Sequence, residues 1–98
     1  MRIYISGPIT GQEDTAKDRF KIAEYILQKR YAGAEIINPC SVNAEAAHAA
    51  ELTHDEYMKI SFTLMDLCDA VYFMGGWEKS KGCQMEHVYA ENRSMKIL

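Results

Sequence analysis

The chain has no Lys/Arg cluster, no Cys-x-x-Cys pair, no low-complexity tract and no apolar run near the roughly 18 residues that span a bilayer. Each absence removes a class of function. Proteins that grip nucleic-acid polymers draw much of their affinity from basic side chains that neutralise phosphates. Here 11 Lys and Arg stand against 14 Asp and Glu, a formal charge of −3. Neither a nucleic-acid polymer nor a membrane is an expected partner. One phosphate on a small ligand remains compatible with that charge, because backbone N–H groups at a helix N-terminus can hold it. The three cysteines, Cys40, Cys68 and Cys83, are odd in number and lie 28 and 15 residues apart. They read as free thiols of a reducing compartment, so the expected location is cytoplasmic. What is present is 98 residues, 48% of them hydrophobic, too apolar for a disordered chain and enough for a single domain over residues 1–98.

Four short apolar segments alternate with helical patterns, the signature of an α/β fold. Met1 to Ile5 is the first strand, closed by Ser6-Gly7-Pro8. A helix follows from Glu13 or Asp14 to about Tyr31, with Phe20, Ala23, Leu27 and Tyr31 on one face, and Gly33 stops it. Ala34 to Ile37 is the second strand, ended by Asn38-Pro39. Residues 40–53 are alanine-rich and polar, and read as a short helix or a lid. Thr53 and Glu56 form a capping box that starts a helix running to about Leu67, burying Met58 or Tyr57, Ile60, Leu64 and Leu67. The third strand is Asp69 to Met74. After the loop Gly75 to Ser80 comes a helix to about Arg93, then a fourth strand, Met95 to Leu98. Right-handed crossovers make the strands parallel neighbours, in the expected order 2-1-3-4. Ligands of such sheets bind beyond the strands' carboxyl ends, where the order reverses. The loops after strands one and three, Ser6 to Gly11 and Gly75 to Gly82, should therefore meet at one crevice.

Ser6-Gly7-Pro8-Ile9-Thr10-Gly11 offers small residues, two hydroxyls and close backbone approach to an oxyanion or sugar, or else only a tight turn. It is neither a Gly-x-Gly-x-x-Gly fingerprint nor a P-loop. Ser80 suits an N-cap and Gly82 the first turn of the helix, an arrangement fit for an anion. Glu86, one turn further on, is either an exposed helical glutamate or a carboxylate aimed at the crevice, able to attack a sugar C1 or to stabilise an oxocarbenium ion. Tyr4 is core or crevice, because strand periodicity alone does not choose its face. Trp77 either plugs the crevice or stacks on a base. Cys83 and His87 have a chelating spacing but no further ligands, so no metal is expected. His48 and His54, in polar stretches, read as solvated.

Ile3-Tyr4-Ile5-Ser6-Gly7-Pro8-Ile9-Thr10-Gly11, Cys68-Asp69-Ala70 and Gly76-Trp77-Glu78-x-Ser80-x-Gly82-x-x-x-Glu86 together resemble the nucleoside 2-deoxyribosyltransferase family, most closely its small, often phage-encoded branch. These motifs run through nearly the whole chain. The resemblance implies a flavodoxin-like, Rossmann-like three-layer sandwich with a four- or five-stranded parallel sheet. It also implies cleavage of the N-glycosidic bond of 2'-deoxynucleosides or their 5'-monophosphates, without cofactor. On that likeness Glu86 matches the nucleophile that forms a deoxyribosyl-enzyme intermediate, and Tyr4 the tyrosine that positions it. Ser6, Gly7, Thr10 and Gly11 match a loop that contacts sugar or phosphate, while Ser80 and Gly82 match residues that bind a 5'-phosphate in the hydrolase members. The acceptor is a second base or water.

One position departs from the family pattern. Members place an aspartate eight residues before the Asp of strand three, where it aids proton transfer to the base, and here Ser61 stands there. A serine hydroxyl is far too weak an acid for that task, leaving Asp66 or Asp55 as substitutes. A non-catalytic nucleotide-binding module is therefore the alternative to the enzyme. Members complete their sites from a neighbouring subunit, so a homodimer or larger homo-oligomer is expected, with Phe62 and Met65 as candidate contacts.

Overall fold

The computed structural model describes residues 1–9, 11–41 and 53–98. Thr10, His48 and most of the segment expected to be a short helix or lid lie outside the described residues. The elements are β1 (Arg2–Ser6), α1 (Glu13–Arg30), β2 (Glu35–Ile37), α2 (His54–Asp66), β3 (Ala70–Phe73), a 3-10 turn (Trp77–Lys79), α3 (Lys81–Asn92) and β4 (Lys96–Ile97). The strands form one four-stranded sheet, ordered β2-β1-β3-β4 and parallel throughout. This is the expected order.

Local chemistry explains the helix ends. The Thr53 hydroxyl accepts the Glu56 N–H at 3.2 Å while the Glu56 carboxylate accepts the Thr53 N–H at 2.9 Å, a reciprocal cap for α2. Ser80 caps α3 by accepting the Cys83 N–H. α1 starts without a side-chain cap but carries Glu13 and Asp14 in its first turn and Lys29 and Arg30 in its last, both favourable to the helix dipole.

Alternation along β1 divides the core into two layers. Ile3 and Ile5 face α1 and pack with Ala16, Phe20, Ala23 and Leu27. Tyr4 points the other way, toward α2 and α3, in a cluster with Met65, Val71 and Ala90. Burial of side chains the size of Leu27 or Phe20 contributes about 1.5–3 kcal/mol each. The N-terminal end of the sheet is tied by charge and backbone contacts. Asp69 accepts the Arg2 N–H at 2.9 Å, and the Arg2 guanidinium reaches Glu35 at 3.2 Å. Asp69 thus has a structural role at the end opposite the crevice.

Three expectations need correction. β1 extends one residue further than expected, so that Ser6 pairs with Phe73 and belongs to the strand. The inward stripe of α2 runs through Met58, Ser61, Phe62 and Met65, and Leu67 is exposed. A serine in the middle of that stripe hides it from a hydrophobic reading, which favoured the face through Ile60 and Leu64. Consequently Met65 is fully buried and is not free for an oligomer contact, while Phe62 is half-buried and stacks on Tyr89 with ring centroids 4.2 Å apart.

Candidate functional site

β1 and α3 bring the centre of the site together. Tyr4 and Ser6 are two residues apart and so project from the same face of β1. α3 crosses that face and delivers Glu86 between them. The Tyr4 hydroxyl donates to Glu86 Oε2 at 2.6 Å and the Ser6 hydroxyl donates to Oε1 at 2.8 Å. Both carboxylate oxygens are therefore held, and the Tyr4 bond lies in the short distance range of charge-assisted bonds. Among the described residues no buried side-chain nitrogen or oxygen lacks a partner.

Glu86 is only 6% exposed, yet it lines a cavity of about 970 Å³ beyond the carboxyl end of β1. Tyr4, Tyr57, Met58, Ser61 and Cys83 line the same cavity on the α2 and α3 side, with Ile5, Ala16 and Phe20 toward α1. Burial raises the Glu86 carboxyl to about 6, and the hydrogen bonds from Tyr4 and Ser6 hold it back from rising further. Burial and the adjacent Glu86 carboxylate push the Tyr4 phenol well above its usual value, while the Ser61 hydroxyl acts in the opposite direction. Tyr4 is thus a fixed donor and Glu86 an anion at neutral pH. Cys83 is kept a neutral thiol, chiefly by burial, which leaves Glu86 the stronger candidate nucleophile.

A second cavity of about 290 Å³ adjoins the first at the N-terminus of α3, lined by Gln12, His54, Lys79, Ser80, Lys81 and Gly82 among others. His54, Ser80 and Gly82 border both cavities. The α3 N-terminus, two lysines and an imidazole give this cleft the chemistry of an anion site.

The residues singled out in the sequence separate into three groups. Glu86, Tyr4, Gly7, Ile9, Ser80 and Gly82 line the larger cavity, and Pro8 lines the smaller. Ser6 reaches the site through Glu86. Gly11 borders neither cavity; its φ of +82° demands glycine, and its N–H donates to Glu13 Oε1 at 2.9 Å. Gly7 also has a packing reason for being glycine, because a Cβ there would lie 2.5 Å from Met74 Sδ and 3.1 Å from Phe20. Trp77 borders neither cavity. It stacks on His87 at 4.5 Å and packs against Phe73, so it neither plugs the crevice nor offers a face to a base there. Thr10 is outside the described residues.

His54, expected to be solvated, is exposed, and it also borders both cavities, a placement that was not expected. The sequence signal was the capping box itself. It fixes His54 as the first residue of a helix that must start at the same sheet end as the crevice. The substitutes for the missing aspartate do not enter: Asp66 is engaged by the Tyr89 hydroxyl at 2.7 Å and by Arg93 at 3.0 Å, and Asp55 borders neither cavity. Among the described residues no cluster of His, Cys, Asp or Glu has metal-binding geometry, and no helix is long and apolar enough to cross a membrane.

The family described as a domain of unknown function, DUF4406, matches residues 1–98. The chain belongs to the DUF4406 family. No curated protein and no solved structure matches it. For this DUF4406 chain the chemistry is therefore read from the site: a buried, oriented carboxylate facing a cavity of about 970 Å³, beside a cleft with two lysines at a helix N-terminus.

Proposed function

We propose that the protein cleaves or transfers at the N-glycosidic bond of 2'-deoxynucleosides or their 5'-monophosphates. The observation that carries this reading is Glu86, ionised at neutral pH, buried, and held by Tyr4 and Ser6 at the edge of the cavity. In the reaction one Glu86 oxygen bonds to C1' as the C1'–N bond breaks, and the base leaves with the bonding electrons and takes up a proton from solvent water. Water or a second base then attacks C1', which releases the carboxylate. Tyr4 and Ser6 keep the carboxylate from rotating away from that trajectory. The cationic cleft at the α3 N-terminus favours the 5'-monophosphates within this class.

The test is a screen of deoxynucleosides and their monophosphates with chromatographic detection of free base. Release by the wild-type protein that disappears in Glu86→Ala supports the reading, and equal release by that variant defeats it.

A second reading is a nucleotide-binding module without turnover. Ser61 borders the cavity in place of an acid, and the carboxylates among the described lining residues are Glu86 and Glu13. Glu13 is held low by the Gly11 N–H, which makes it a poor proton donor. This reading expects nucleotides to raise the melting temperature with no base released.

A further inference from the structure

α1 carries apolar side chains on two opposite faces, whereas a surface helix ordinarily has one. Ala16, Phe20, Ala23 and Leu27 are buried against the sheet. Ile22, Tyr25 and Ile26 are 60%, 61% and 43% exposed on the outside. At 3.6 residues per turn, Asp18, Ile22, Tyr25 and Lys29 fall on one line diametrically opposite the buried stripe. Contiguous exposed apolar side chains of this kind mark an interaction surface.

The order of side chains along the line selects the occupant. An acid stands at its N-terminal end, a base at its C-terminal end, and the apolar pair lies between them. An identical helix laid antiparallel, with the two-fold axis midway between positions 22 and 25, would set each Ile22 on the partner's Tyr25. The same axis sets each Asp18 on the partner's Lys29. A parallel copy would instead oppose Asp18 to Asp18 and Lys29 to Lys29. Among the described residues the ion pairs involve Arg2, His87 and Arg93, and neither Asp18 nor Lys29 takes part in them. Lys29 already lies over the Tyr25 ring, 5.3 Å from its centroid, next to the apolar pair.

We propose that a second copy of this chain docks on the outer face of α1 as a two-fold antiparallel helix pair. Such an isologous contact is the commonest route to a symmetric dimer. It is independent of the reaction assigned to Glu86. It lies on a different helix from Phe62 and Met65, of which Met65 is fully buried.

Light-scattering mass measured across a concentration series tests it. The wild-type protein should pass from the mass of one chain to twice that mass, and Ile22→Glu should remain at one chain at every concentration while keeping the wild-type circular dichroism. Asp18→Lys and Lys29→Asp should each raise the dissociation constant roughly tenfold, since attraction becomes repulsion at two symmetric places. The double reversal should restore it, and so should mixing the two single variants, because each then supplies the charge the other needs. A single-chain mass for the wild type at all concentrations overturns the proposal. So does a dimer indifferent to Ile22→Glu or to both reversals, or a mixture that fails to restore pairing.

Discussion

The two faces of β1 differ although their residues alternate one by one. Toward α1, Ile3 and Ile5 enter an entirely apolar layer with Phe20 and Leu27. Toward α2 and α3, Tyr4 and Ser6 hold a buried carboxylate. One face stabilises the domain, and the other gives up stability to keep an anion out of water. The cost can be stated with its sign. The folded-state value of Glu86, about 6, lies above its ordinary 4.5. Its contribution to stability is therefore complete below about 4.5 and is lost as pH rises through about 6, a loss of about 2 kcal/mol.

The sharpest way to break this contrast is Glu86→Gln. Base release should fall by at least about a thousandfold with the nucleophile gone. Above pH 6 the same variant should gain up to about 2 kcal/mol in denaturant unfolding, because the buried charge is removed. Activity lost with no gain in stability would mean that Glu86 is not paying a burial cost, and the comparison of the faces would fail.

Phe20→Ala probes the opposite layer. It should cost about 3–5 kcal/mol of stability, while turnover per folded molecule, measured at low temperature, stays within a few-fold of wild type. Tyr4→Phe should be intermediate. Losing a hydrogen bond to a charged group, about 1.5–3 kcal/mol, corresponds to a roughly tenfold to hundredfold drop in turnover. Because the Tyr4 bond lowers the Glu86 value, its removal should also move the acid limb of the pH–rate profile upward from about 6. An unmoved limb would show that Tyr4 does not tune the carboxylate. The smallest effect belongs to Asp69→Asn at the far end of the sheet, below about 1 kcal/mol with unchanged base release.

Much of the fold was legible because its signals are local. Thr53 with Glu56, Ser80 before α3, and the Phe20, Ala23, Leu27 stripe each specify an element within a few residues, and crossover handedness then orders the strands. The α2 face was legible only in part: Met58 is buried and Leu64 packs on the core as expected, but Ser61 interrupts the apolar stripe that carries Met65 inward, and Leu67 is exposed. Trp77 was equally undecided, since the 3-10 turn that directs it to His87 leaves no mark in hydrophobic periodicity.

The sequence by itself pointed to one acidic α/β domain with two loops expected to converge at a sheet end, and it linked Tyr4 to Glu86 only through the family resemblance, with Ser6 assigned to the first loop. Only the tertiary structure decided that they form one group. Glu86 lies 82 positions from Tyr4 and 80 from Ser6, and their meeting depends on which face of β1 turns toward α3. Strand period fixes that Tyr4 and Ser6 share a face, but the choice between the two faces is made by which layer each neighbouring helix occupies, a property of the packed sheet.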